Sequence, residues 1–130
     1  DVDGADNPWL ADEPERLLEL AQGAVAVTPR GGHHYVFGLP EGMTVRSQVG
    51  KLAPKVDIRA HGAYILVAPS VIAGRTYRWV EGLELEEPCH RLPRPPDWLL
   101  ERIAQANADE NRVAAGSADQ ANLIPEGQRN

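Results

Sequence analysis

The chain has 130 residues, enough for one domain with a real core, and 42% hydrophobic with 25% charged residues is the balance of a soluble globular protein. No apolar run approaches the ~20 residues of a membrane span, and no signal peptide is visible. The single cysteine, Cys89, excludes an intrachain disulfide and suits a reducing, cytoplasmic setting.

The net charge of −6 argues mildly against nucleic acid, but it is unevenly spread. Residues 1–27 hold seven acids and one Arg, residues 28–80 seven Lys/Arg and two acids, and residues 81–130 ten acids and five Arg. A basic centre between acidic flanks suits an anionic ligand held by the middle of the chain, although solvated faces also produce charge blocks of this size.

In chain order, the first element expected is a short helix over 13–22. Asp12 caps it, Pro14 stands in its first turn, Leu17, Leu18 and Leu20 form its apolar face, and Gly23 ends it. "AVAVT" (24–28) and "HHYVF" (33–37) read as strands joined by the turn residues "PRGG", a hairpin. Residues 39–54, with Pro40, Gly42, Gly50 and Pro54, read as a loop. "KVDIR" (55–59) is a strand, "AHG" a turn and "AYILVA" (63–68) a buried strand. After a turn with Pro69, Ser70 and Gly74, "RTYRWV" (75–80) alternates as a strand does. "LPRPPDWLLERIAQAN" (92–107) opens with prolines and continues as an amphipathic helix carrying Trp98, Leu99 and Ile103. The domain therefore spans 1–107, followed by a polar linker over 108–122 and the start of a further helical segment at 123–130. The fold class is α+β, a mostly antiparallel sheet with helices on one side.

Three short stretches carry chemistry. In an extended chain, residues i and i+2 share a face, so "DVDG" presents Asp1 and Asp3 side by side with Val2 toward the core. Two such carboxylates repel unless a cation sits between them, and Mg²⁺ or Mn²⁺ takes oxygen ligands of this kind. A solvated end or turn would carry the same four residues. Asp57 lies between Val56 and Ile58 in an apolar strand. It either pairs with Arg59 or Lys55 on the solvated face or joins a site. In "TPRGGHHYVF" a Gly-Gly turn lets backbone approach an anion closely, and a histidine can donate to a phosphate oxygen. His33 and His34 point to opposite faces, so one of them at most enters a shared site; a hairpin with one exposed and one packed histidine needs no ligand. Zinc is disfavoured, because no C-x-x-C or H-E-x-x-H spacing occurs.

Taken in order, "DVDG", "TPRGGHHYVF", "KVDIRAHGAYILVAPS" and "GRTYRW" resemble the prim-pol family, the primase-polymerase domain of the archaeo-eukaryotic primase superfamily. Asp1 and Asp3 match its acid-x-acid pair, Gly31, Gly32 and His34 its Gly-Gly-x-His segment, and Asp57 its third motif. "LPRPPDWLLERI" resembles the closing proline-rich helix, and "IPEGQRN" the start of the helical segment that often follows. Arg30 stands where the family often has a small residue, and Ala68-Pro69-Ser70 replaces Pro-Pro-Ser. The family has a further αβ segment before its first motif, so the resemblance implies an N-terminally truncated, RRM-like palm core.

The resemblance implies template-directed nucleotidyl transfer in phage- or plasmid-type replication. Asp1, Asp3 and Asp57 would ligate two Mg²⁺ or Mn²⁺ ions, and His34, offered by Gly31 and Gly32, would contact the phosphates of the incoming nucleoside triphosphate. Arg59 and Ser70 are further nucleotide contacts, and Arg30, Lys51 and Lys55 are candidates for phosphate or template backbone. Implied partners are nucleoside triphosphates, a single-stranded DNA template with primer, and a fused or associated helicase. Two alternatives stand beside this one: a catalytically silent nucleotide- or nucleic-acid-binding module, and an α+β interaction domain with no nucleotide site. Convergence of the acids and His34 on one cleft separates them.

Overall fold

The structure, a computed structural model, describes residues 1–86 and 91–116, with side chains described as far as residue 109. Its elements are α1 (Pro14–Leu20), β1 (Ala24–Val27), β2 (His33–Val36), β3 (Gln48–Ala53), β4 (Val56–Ile58), β5 (Val71–Ile72), β6 (Arg75–Thr76), β7 (Arg78–Trp79) and α2 (Asp97–Gly116).

Every named strand pair is antiparallel. The hairpin expected from the β-branched runs flanking Gly31-Gly32 is present: β1 pairs with β2, with Ala26 opposite His34 and Val27 opposite His33. The other edge of β1 takes β7, giving the order β2-β1-β7, and β3 pairs with β4. What joins these groups is Val2, which bridges antiparallel to His33 on one side and to Val56 on the other. Val2 exchanges both backbone hydrogen bonds with His33, at 2.8 and 2.9 Å. The Asp3 N–H donates to the Lys55 carbonyl at 2.9 Å and the Asp57 N–H to the Asp1 carbonyl at 2.8 Å. The first three residues thus fill the centre of the sheet.

Alternation then sorts the side chains. Val2, Val56 and Ile58 are buried on one face. There Leu20 of α1 and Leu99 and Ile103 of α2 meet Leu10, Val45 and Ile58 in a single cluster, flanked by Trp9, Tyr35, Phe37 and Trp98. Both helices therefore cover the same side, and each fully buried Leu or Ile stabilises the fold by roughly 1.5–3 kcal/mol. The helices are clasped to each other through Trp98. Its indole N–H donates to Glu19 at 3.0 Å, and the guanidinium carbons of Arg16 and Arg102 lie 4.8 and 5.1 Å from its ring centre. Gln48 Nε2 donates to Asn107 Oδ1 and ties β3 to α2.

Several local expectations are corrected. The helix cap is Glu13, without a side-chain hydrogen bond, because the Glu13 N–H closes a turn onto the Leu10 carbonyl at 3.0 Å; Asp12 does not cap. The stretch 39–54 contains β3, whose pairing with β4 is irregular between Gln48 and Ala53; Gly50, read as a loop residue, sits at that irregularity with φ +67. Residues 63–68 form no strand, and Tyr64 and Leu66 are exposed. "RTYRWV" breaks into β6 and β7 at Tyr77, whose N–H donates to the Ser70 carbonyl at 2.9 Å. Finally, α2 continues to Gly116 through residues 108–116, which the sequence reading gave to the linker. Alanine, glutamate and arginine in that stretch are good helix formers. Residues 117–130 lie outside the described residues.

Candidate functional site

The face of the sheet opposite the helices carries the polar groups. Since Val2 points to the core, Asp1 and Asp3 point away from it. The pairings of Val2 with His33 and Val56 place His34 and Asp57 on either side of Asp1. His34 Nε2 lies 3.3 Å from Asp1 Oδ1. Arg59, two residues after Asp57 and so on the same face, sets Nη2 3.0 Å from Asp57 Oδ2 and Nε 3.9 Å from Asp1 Oδ2. The Gly50 N–H donates to Asp57 Oδ1 at 2.9 Å and fixes that carboxylate from the β3 side. Two carboxylates on adjacent strands thus share one guanidinium, which offsets part of their repulsion.

His34 is 5% exposed, with the Tyr77 ring tilted against it at a centroid distance of 5.8 Å. Burial, then the neighbouring Asp1 amino group and Arg59, push its imidazole down to about 4, so it is neutral at physiological pH. Its Nδ1 is buried and has no hydrogen-bond partner among the described residues. Buried polar atoms ordinarily have a partner, so the unpaired Nδ1 marks His34 as a candidate site residue.

This has a measurable consequence. Below pH 6.5 the unfolded chain takes up a proton that the folded site refuses, so stability falls from pH 6.5 to about pH 4 and levels off beneath. His34 alone should contribute roughly 3 kcal/mol to that loss. Melts between pH 7 and pH 4 should show a shallower pH dependence in His34→Gln than in the unsubstituted protein; identical slopes would contradict the assignment.

Asp1, His34 and Arg59 line a cleft of about 370 Å³ together with Tyr64, Leu66 and Tyr77. A larger cavity of about 580 Å³ shares the three charged or polar groups, adds Asp57, and runs into the apolar layer under α2. Asp57 lines only the larger cavity, most of whose wall is apolar core.

The other predicted residues stand elsewhere. Asp3 shares the face of Asp1 but faces Arg30, with Arg30 Nη1 3.6 Å from Asp3 Oδ2. Gly31 has φ +80. At Gly32 an added Cβ would lie 2.1 Å from the Val2 carbonyl oxygen and 2.8 Å from the Gly4 nitrogen. The Gly-Gly turn is accounted for by the passage of the acid-bearing strand, before any ligand is considered. Ser70 sits at the base of the β5–β6 hairpin, and Lys51 and Lys55 are exposed on β3 and the β3–β4 turn; none of the three lines either cleft. Among the described residues no group of three or more His, Cys, Asp or Glu is gathered closely enough to hold a metal ion by itself. Tyr64, Leu66 and Tyr77 are among the cleft residues that sequence reasoning left out of the site. The signal for Tyr64 was Gly62 two residues before it, a break that argues against a buried strand.

The family model described as "Bifunctional DNA primase/polymerase, N-terminal" matches residues 1–98. The chain belongs to the Prim-Pol family. No curated protein and no solved structure matches it. The Prim-Pol match spans every strand and every cleft residue named above and ends at Trp98, within the first turn of α2. No helix among the described residues is long and apolar enough to cross a membrane.

Proposed function

We propose that this Prim-Pol domain carries out template-directed nucleotidyl transfer, as a DNA primase or polymerase, on nucleoside triphosphates with a single-stranded DNA template. The observation that carries the proposal is the convergence of Asp1, His34 and Arg59 at one cleft on the open face of the sheet, with Asp57 paired to Arg59 beside it. In this reading the sheet is the palm of the domain.

Asp1 and Asp57 offer oxygen donors of the kind a hard divalent cation takes, and a cation there would need ligands beyond them. Asp1 and Asp57 supply carboxylate oxygens, two negative charges stand against one guanidinium, and substrate phosphates complete the shell of Mg²⁺ or Mn²⁺ in sites of this kind. Asp1 and Asp57 are the proposed ligands, with Asp3, on the same strand and face, as the third acid. A metal held by these carboxylates would supply Lewis-acid activation of a 3′-hydroxyl and charge neutralisation of the triphosphate. The chain's own residues do the rest. Arg59 attracts the phosphates and holds both carboxylates in place. Neutral His34 carries a single N–H, which at Nε2 keeps Asp1 oriented; the unpartnered Nδ1 is then an acceptor, and a phosphate oxygen is met only by turning that one N–H toward it. Gly50 fixes the rotamer of Asp57.

A second reading, a nucleotide-binding module without catalysis, is favoured by the pairing of Asp3 with Arg30. Primer extension on single-stranded DNA with deoxynucleoside triphosphates and Mn²⁺ separates the two. Extension that follows the template sequence supports transfer; nucleotide binding with no extension in the folded protein supports the silent module.

A further inference from the structure

Tyr64 is 82% exposed, the most exposed large hydrophobic among the described residues, yet it belongs to an apolar run. It owes this to the backbone around it. Residues 63–68 pair with no strand among the described residues, and Gly62, at φ +78 with none of them within 4 Å of an added Cβ, turns the chain away from β4. Tyr64 lines the cleft together with Asp1, His34 and Arg59, and Leu66, two residues on and 39% exposed, lines it too. A cleft of about 370 Å³ falls within the size range of small-ligand sites, and this one is lined by charged groups and by the aromatic residues Tyr64 and Tyr77.

We propose that Tyr64 is the nucleobase-stacking platform of this cleft, taking the base of a nucleoside triphosphate whose phosphates meet Arg59. The proposal rests on the nucleotidyl-transfer reading above and adds how the base is held. Every base has a π-face, so stacking on a phenol ring grips a base without reading its hydrogen-bonding edge. The Watson–Crick edge is left free for the template, which is what template-directed selection requires. Purines, with the larger face, should bind better than pyrimidines when no template is present.

The test is titration of 2-aminopurine deoxyribonucleoside triphosphate into the protein with Mn²⁺, read by the quenching of its fluorescence on stacking, with inorganic tripolyphosphate as the base-free competitor. The unsubstituted protein and Tyr64→Phe should bind and quench alike. Tyr64→Ala should bind the nucleotide about tenfold or more weakly and lose the quenching, while its affinity for tripolyphosphate stays unchanged. Equal nucleotide affinity in Tyr64→Ala overturns the proposal, as does a parallel loss for tripolyphosphate, which would make Tyr64 a support of the site. Tripolyphosphate binding by the unsubstituted protein without any gain from the base also overturns it and leaves the phosphate site standing. If the folded protein binds neither compound, the nucleotide reading fails first and Tyr64 with it.

Discussion

Gly32→Ala is expected to unseat the strand that carries Asp1. The new Cβ would meet backbone, 2.1 Å from the Val2 carbonyl oxygen and 2.8 Å from the Gly4 nitrogen, and neither can swing aside as a flexible side chain would. The strand must retreat, and the two hydrogen bonds between Val2 and His33 weaken with it. Overpacking of this kind costs about 1–3 kcal/mol and each impaired hydrogen bond about 1 kcal/mol, so a loss of about 3 kcal/mol is expected. Gly42→Ala is the control. Its φ of +77 strains any side chain, but nothing lies within 4 Å, so its cost should stay near 1 kcal/mol. Urea melts of the two variants should differ accordingly, and Gly32→Ala should also lose metal-dependent nucleotide binding. A Gly32→Ala protein as stable as Gly42→Ala would mean that the acid strand does not run beside the Gly-Gly turn.

Asp57→Asn should separate chemistry from stability. Asparagine keeps the size and the oxygen that accepts from the Gly50 N–H, but sets an amide NH2 where Oδ2 met Arg59, so the partly exposed guanidinium turns from it to Asp1 or solvent. The lost pair is partly open to solvent and worth roughly 0–1 kcal/mol, and removing one of two adjacent carboxylates relieves repulsion, so the melt should move by no more than about 1 kcal/mol. Nucleotide incorporation should fall far more. Groups that merely support a metal ligand cost 10–100-fold when removed, so a ligand itself should cost at least about 100-fold. Template-directed incorporation that survives in Asp57→Asn would remove Asp57 from the proposed mechanism.

Much of the site was legible because a strand has period 2. Alternation alone puts Asp1 opposite in direction to Val2, Arg59 beside Asp57, and His34 away from His33, and the contacts of these residues follow that pattern. The β1–β2 hairpin was legible from its β-branched flanks and glycine turn. What was not legible depended on partners distant in sequence. β3 looks like a loop because Gly50 and Lys51 lack a strand's composition, and only β4 makes it a strand. Residues 63–68 look like a buried strand because they are apolar, but none of the described residues pairs with them as a strand, and Tyr64 is left exposed at the cleft. Asp3 has the right spacing for the acid pair, and the spacing cannot reveal that Arg30 faces it. The glycines suggested an approaching anion, whereas the backbone that approaches Gly32 is that of Val2.

The central claim is that Asp1, Asp57, His34 and Arg59 form one metal-dependent nucleotide site, and the most direct measurement is calorimetric titration of dATP in Mn²⁺, in EDTA, and into Asp57→Asn in Mn²⁺. The site described here predicts binding in Mn²⁺, none in EDTA, and a loss of at least about 100-fold in Asp57→Asn. Binding indifferent to both metal and Asp57, or no binding by the folded protein, would contradict it.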